Sequence, residues 1–189
     1  MTTPAGLIAP GDFWGPFERF RYTMYRLEVL QGYGGSGEDD AVAAFAAGQP
    51  EPPMPAMDRW ASLISTGRAA GKVHQRVHVV TEPLTMYMGY EIAWAYRQST
   101  ASGEDIRILP VNRGEWPADI PRDDYWLFDS SELFLMHYDA SGMWLGAELI
   151  TDPARIVAAC RDRDAAWHEA IPWRQYVASR PQLASRVAG

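Results

Sequence analysis

The chain is poor in cysteine and lysine and has no long apolar run. Its one cysteine, Cys160, has no intramolecular disulfide partner. No stretch approaches the ~20 apolar residues of a membrane span. MTTPAGLIAPGDFWG also lacks the basic start and sustained apolar core of a secretory leader. A cytoplasmic location without membrane association is therefore expected. Basic residues number 17 against 24 acidic, for a formal charge of −7, and sixteen of the 17 are arginine. Proteins that grip phosphate backbones carry a basic surplus, so no direct nucleic-acid partner is expected. No CxxC, HxH or HExxH pattern offers metal ligands, and no G-x-S-x-G offers a serine nucleophile. GYGGSGEDD (residues 32–40) lacks the G-x-x-x-x-G-K of a phosphate-binding loop. Neither a metal nor a cofactor is expected.

What is present is globular in character, with 47% hydrophobic and 22% charged residues. The 189 residues suit one domain, with a core over about 13–176 and flexible ends. Eight Trp and nine Tyr are a heavy aromatic content, suited to a core or to a ligand wall. QPEPPMP (49–55) holds four prolines. It reads as a stiff connector crossing the surface of that one domain, since neither flank is large enough for its own core.

Periodicity and capping signals predict the order α-β-α-α-β-α-β-β-β-β-α. FWGPFERF is a short helix after a loose start, and RYTMYRLEVLQGY is a strand followed by a flexible GGSG turn. Asp39 or Asp40 caps the helix AVAAFAA, and Asp58 caps DRWASLISTGRAAG, with Trp60, Leu63 and Ile64 inward. KVHQRVHVV is a strand by its β-branched content. TEPLTMYMGYEIAWAYR is a helix capped by Thr81 or Glu82, with Pro83 in its first turn. EDIRILP and YWLFD are strands, and ELFLMHYD and MWLGAELI form a hairpin around DASG. Asp152 caps the last helix, with Pro153 at its first position. The fold class is α+β: a single mixed sheet with a carboxyl-terminal antiparallel hairpin and helices on one or both faces.

Histidines and buried carboxylates are the places to look for chemistry. On a strand, His74 and His78 share one face with Arg76 but are too far apart to share an ion, so a polar sheet face is expected there. In the hairpin, Asp139 and Gly142 suit a type I turn with a glycine bulge. That register sets His137 opposite Leu145, Leu135 opposite Ala147 and Leu133 opposite Leu149. A slip of one residue instead joins His137 to Trp144 and Glu148. Turn chemistry favours the first register. Glu28, Glu91, Glu104, Asp105, Asp129 and Glu148 lie in or beside apolar segments. Asp129 ends an aromatic strand, where sheets display functional groups, but it also suits a turn. Cys160 falls on the stripe Ile156, Cys160, Arg163, Trp167, Ala170 and reads as a small core residue.

RLEV, the EP and YE of TEPLTMYMGYE, GEDIRILP, YWLFD and GAELITDP, taken in order over Phe13 to Tyr176, resemble a family of small actinobacterial proteins known only as a domain of unknown function. Its members are often encoded beside helix-turn-helix regulators of the Xre type, which implies such a regulator as a partner. The carboxyl half, YWLFDSSELFLMHYDASGMWLGAELITDP with the helix ending DAAWHEAIP, looks like half of a phospholipase D-like domain. Those domains act through His-x-Lys. Here the only lysine, Lys72, precedes His74, so the likeness implies a fold or a silent descendant.

These readings lead to an accessory protein, non-catalytic, that binds a small molecule, a regulatory protein, or both. The expected pocket lies between the helix carrying Tyr87, Tyr90, Glu91 and Trp94 and the strand carrying Arg76 and His78, with Arg107 and Asp129 at other strand ends. The bland counterpart is an ordinary core with an Arg76–Glu91 ion pair. One alternative is a hydrolase or phosphodiesterase using His78 or His137 with Glu91, Asp129 or Glu148. Another is an antitoxin-like partner of a DNA-binding protein. Oligomeric state stays open.

Overall fold

Three apolar, β-branched runs, Thr23–Glu28 (β1), Val73–Glu82 (β2) and Asp105–Asn112 (β3), lie parallel at the centre of one seven-stranded mixed sheet. The computed structural model describes residues 6–35 and 37–187. Residues 1–5 and 188–189 of the expected flexible ends, and Ser36 of the GGSG turn, lie outside them. Tyr125–Phe128 (β4), Glu132–Tyr138 (β5) and Trp144–Ile150 (β6) continue the sheet antiparallel from β1, and the short β7 (Ile171–Pro172) closes the other edge on β3. The order is β6-β5-β4-β1-β2-β3-β7.

Parallel neighbours require crossovers, and helices supply them. Between β1 and β2 run α1's successors α2 (Asp39–Ala46) and α3 (Pro55–Ala69), α1 itself (Gly15–Arg19) preceding β1. Between β2 and β3 run α4 (Met86–Tyr90), a π-helical turn (Glu91–Ala95) and α5 (Tyr96–Ser102). After β6 come α6 (Pro153–Glu169), then α7 (Trp173–Ala178) and α8 (Pro181–Val187) beyond β7. The sequence reading omits β7, α7 and α8, whose short segments carry too few residues to show a period.

Alternation along the strands gives the sheet two unlike faces. Tyr25, Leu27, Val77, Val79, Leu109, Tyr125, Leu127 and Leu133 pack into one buried cluster with Ala159 and Ala166 of α6. The opposite face carries Met24, Trp126, Phe128 and Phe134 against Phe13, Phe17 and Ile64. It also buries Arg26, Glu28, His74, Arg76 and His78.

Local chemistry explains the helix starts and corrects some of them. Asp152 accepts from the Ala154 N–H at 2.9 Å, with Pro153 in the first turn, as expected. Thr85, not Thr81 or Glu82, caps α4, accepting from the Met88 N–H at 3.1 Å, because β2 extends through Glu82. Pro83 therefore precedes the helix. Asp39 and Asp40 lie inside the first turn of α2 after the cap position Glu38, and Asp58 lies inside α3, which starts at Pro55. The loose start is also corrected: Ile8 bridges Ala147 at the β6 edge through N–H···O bonds of 2.8 and 2.9 Å.

The favoured hairpin register is overturned. The expected turn is present, with the Asp139 N–H bonded to the Met143 carbonyl at 3.0 Å, and Tyr138 faces Trp144. Leu145 is then skipped, so His137 faces Gly146 and Leu135 faces Glu148. A second bulge shifts the register by one and brings His137 Nε2 to Glu148 at 2.9 Å.

Candidate functional site

On the polar-bearing face, five buried charges cross four adjacent strands in alternating sign: Asp124, Arg26, Glu28, Arg76, Glu104. Strand pairing aligns them, since Arg26 is the register partner of Arg76 on one side and of Trp126 on the other. Asp124 and Glu104 sit at the residue just before β4 and β3. Arg26 Nη2 donates to Asp124 at 2.7 Å, and its Nε reaches Glu28 at 3.4 Å. Arg76 donates through Nη1 to Glu28 at 2.9 Å and through Nε to Glu104 at 2.8 Å. Trp60 Nε1 also donates to Glu104, at 2.9 Å.

Aromatic rings take the place of solvent around both guanidiniums. Arg26 Cζ lies 5.2 Å from the Trp126 centroid, and Arg76 Cζ lies 5.6–5.9 Å from Tyr96, Trp60 and Trp126. Tyr33 donates to Asp124 at 2.8 Å, and Tyr138 accepts from Arg26 at 2.8 Å. Burial raises Glu28, but Arg76 and then Arg26 overcome it and hold the carboxyl well below its usual range. Burial also raises Asp124, and there Arg26 offsets only part of it, leaving a value of about 6.

Above this ladder lies a cleft of about 720 Å³. Its walls are rings from separate segments: Phe13, Phe17 of α1, Trp60 of α3, Tyr87 of α4, Tyr138 of β5 and Trp144 of β6. Trp14 lines it too while remaining 45% exposed. One end is closed by the Tyr33–Gly35 loop, pinned to the hairpin by Gly34 N–H to the Gly142 carbonyl at 2.9 Å. Gly142 is required here, because a Cβ would meet the Gly32 carbonyl at 2.7 Å and its φ is +84°. Glu91, at the start of the π-helical turn, is buried and lines the cleft. Its Oε2 has no hydrogen-bond partner among the described residues, nor has Nη1 of Arg26. Burial, then Glu38 and Glu28, push the Glu91 carboxyl well above its usual range.

Of the residues expected at a pocket, Arg76, Tyr87 and Glu91 line the cleft together. Arg76 pairs with Glu28 and Glu104, not with Glu91 as the bland reading had it. His78 lies beneath, with no solvent exposure: Nε2 contacts the Leu30 carbonyl at 2.7 Å and Nδ1 the Tyr96 hydroxyl at 2.6 Å. That hydroxyl also donates to Glu28 at 2.9 Å. Burial lowers the His78 pKa. His74 is buried as well, with neither ring nitrogen partnered among the described residues. Of the expected polar sheet face, the two histidines are thus sealed off, while Arg76 between them lines the cleft.

The other candidates lie elsewhere. Tyr90 is fully buried and donates to Glu38 at 3.0 Å, and Trp94 packs on Phe45 with centroids 5.1 Å apart. Arg107 is on the opposite face, its guanidinium 3.9 Å from the Trp167 ring. Asp129 is a turn residue at φ +51°, accepting from the N–H groups of Arg21, Tyr22 and Thr23 at 2.7–2.9 Å. Burial raises it, but those three bonds prevail and lower its pKa. Cys160 is partly buried against the α6-side cluster. Among the described residues no three His, Cys, Asp or Glu side chains are grouped as metal ligands, and no helix is long and apolar enough to cross a membrane.

Sequence reasoning missed Arg26, Tyr33, Asp124, Trp126 and Tyr138 as site residues. The available signal was TMYRLE itself, where Arg26 and Glu28 alternate with Tyr25 and Leu27 in a strand otherwise fit for the sheet centre. Comparison with curated proteins gives no match. A family model described as a domain of unknown function (DUF6879) matches residues 11–178, from just before the Phe13 wall of the cleft to the end of α7. With nearly the whole sheet and every charge of the ladder inside that match, the chain belongs to the DUF6879 family.

Proposed function

We propose that the protein is a non-catalytic accessory protein that binds a small molecule in the aromatic cleft. The observation carrying this reading is the pairing of a roughly 720 Å³ aromatic-walled cleft with a floor of fixed, buried charges. Small-molecule sites combine apolar walls with a few positioned polar groups in clefts of this size. Binding is favoured over hydrolysis because a general base must reach its substrate. His78 is wholly buried, and His137 pairs with Glu148 on the outer hairpin rather than in the cleft. A cytoplasmic location belongs to the same proposal and so, on the resemblance alone, does a helix-turn-helix regulator as the reader of the bound state.

The test is native mass spectrometry of the chain purified gently from its own host. An added mass of a few hundred daltons, shed on denaturation and absent from Trp144→Ala, is the expected result. A bare chain that no fraction of the host's metabolite extract stabilises against heat would sink the proposal.

A further inference from the structure

We infer that the Glu91 end of the cleft recognises an organic cation, an ammonium carried on an apolar body. This rests on the small-molecule reading above and narrows it to a chemical class. Three carboxylates line the cleft from three separate segments: Glu28 of β1, Glu38 just before α2, and Glu91 of the π-helical turn. Two of the three lining arginines, Arg26 and Arg76, are ion-paired in the ladder, in which three carboxylates face two guanidiniums, although Nη1 of Arg26 has no partner among the described residues. The third, Arg59, is solvent-exposed. The buried charge of the floor is therefore negative before Glu91 is counted, which opposes an anion and favours a cation.

Glu91 supplies the specific point of attachment. It is 7% exposed, and its Oε2 is unpartnered among the described residues. The helix changes from α to π geometry at this residue, a departure that recurs at functional sites. Tyr87, which interacts with Glu91, and Tyr33, its ring centroid 6.0 Å from that of Tyr87, both line the cleft and supply the aromatic surface an ammonium prefers. The groups facing Glu91 are Glu38, Glu28, Arg76, Tyr87, Tyr90 and Tyr96. Burial and the two carboxylates push the Glu91 carboxyl up in the free protein, against the Tyr87 hydroxyl, which pulls it down. An arriving ammonium makes a charge-assisted bond to the carboxylate form, so a protonated Glu91 gives up its carboxyl O–H bond and the proton passes to solvent. Binding therefore tightens as pH rises until Glu91 is ionised in the free protein.

The test is titration calorimetry of the full chain with three probes of similar size: phenethylammonium, phenethyl alcohol and 3-phenylpropionate. Phenethylammonium is expected to bind about tenfold or more tighter than either of the others. Its affinity is expected to rise as pH climbs above the ordinary carboxyl range, and Glu91→Gln is expected to flatten that rise. Because Glu91 is buried, half-exposed Glu38→Gln serves as a second variant, with roughly threefold weaker cation binding. Tighter binding of 3-phenylpropionate or of the alcohol, or cation affinity that Glu91→Gln leaves unchanged at every pH, overturns the inference and leaves the small-molecule reading standing. So does a host adduct identified as anionic or neutral. No probe binding together with a bare chain from the host removes both.

Discussion

The two faces of the central sheet are built from the same strands and stabilised in opposite ways. Under α6, the β1 and β2 side chains Tyr25, Leu27, Val77 and Val79 are apolar or aromatic and buried to within 1%. Each such side chain contributes ~1.5–3 kcal/mol by leaving water. One residue along on either strand, Arg26, Glu28, Arg76 and His78 are buried too, at 0–9% exposure. Their mutual attraction offsets a desolvation cost of several kcal/mol per ion, so the net gain is small. A sheet that needed only stability would repeat the α6 face on both sides. The ladder is a different investment, a rigid and polar floor under a cleft, made affordable by the core on the reverse.

That contrast breaks most sharply at Arg76. Arg76→Met is expected to cost about 3–5 kcal/mol, because Glu28 and Glu104 are left buried without their guanidinium. Leu127→Ala on the other face is expected to cost a similar ~2–5 kcal/mol through its cavity. The two separate with pH. Urea unfolding from pH 7 to pH 4 should show the Arg76→Met loss shrinking as Glu28, no longer held down by Arg76, takes up a proton, while the Leu127→Ala loss stays flat. Equal pH slopes would mean the ladder's charges are not what holds that face.

Within the ladder the two carboxyls flanking Arg26 make a finer comparison. Glu28 has a depressed folded pKa, so its contribution is present above its ordinary 4.5 and disappears as pH falls through the folded value. Asp124 has the opposite sign. Raised from 3.8 to about 6, it makes the fold less stable as pH climbs across that interval, and it adds nothing further above it. At pH 7, Glu28→Gln is expected to cost about 3 kcal/mol. Asp124→Asn is expected to cost about 1 kcal/mol, the mismatch of one buried hydrogen bond. Thermal melts across pH 4–7 check both, and a larger loss for Asp124→Asn would reverse the assignment.

The α6 face was readable from the sequence, and the cleft face only in outline. The alternation in KVHQRVHVV and the unbroken apolar run of YWLFD specify strands, and the first also specifies the sharing of a face by His74, Arg76 and His78. They do not say whether that face meets water or a neighbour. Arg26 and Glu28 become a site only because β1 lies between β2 and β4, a pairing set by residues about 50 and 100 positions away. Tyr87 and Glu91, four residues apart on one helical run, both line the cleft. Tyr90 and Trp94 share that run too, but they turn toward Phe45 because the helix packs on two sides. The hairpin shows the same limit at short range: Asp139 and Gly142 specify the turn, while the bulge at Leu145, which decides the surroundings of His137, has no residue signature of its own.

Asp129 and His137 test whether a polar residue beside an aromatic strand is functional by position alone. Asp129 accepts three backbone N–H bonds at the entry to β1, so Asp129→Ala is expected to cost about 1–2 kcal/mol and to leave retention of any cleft adduct unchanged. The effect at His137 is smaller still. Its ring and Glu148 are both about 40% exposed, and such pairs are worth less than about 1 kcal/mol. His137→Ala should therefore move the unfolding midpoint by no more than about 0.5 kcal/mol and leave the cleft untouched. A larger effect on adduct retention than that of Trp144→Ala would relocate the site to the outer hairpin, since His137 reaches the cleft only through the neighbouring Tyr138 and Met136 of the same strand.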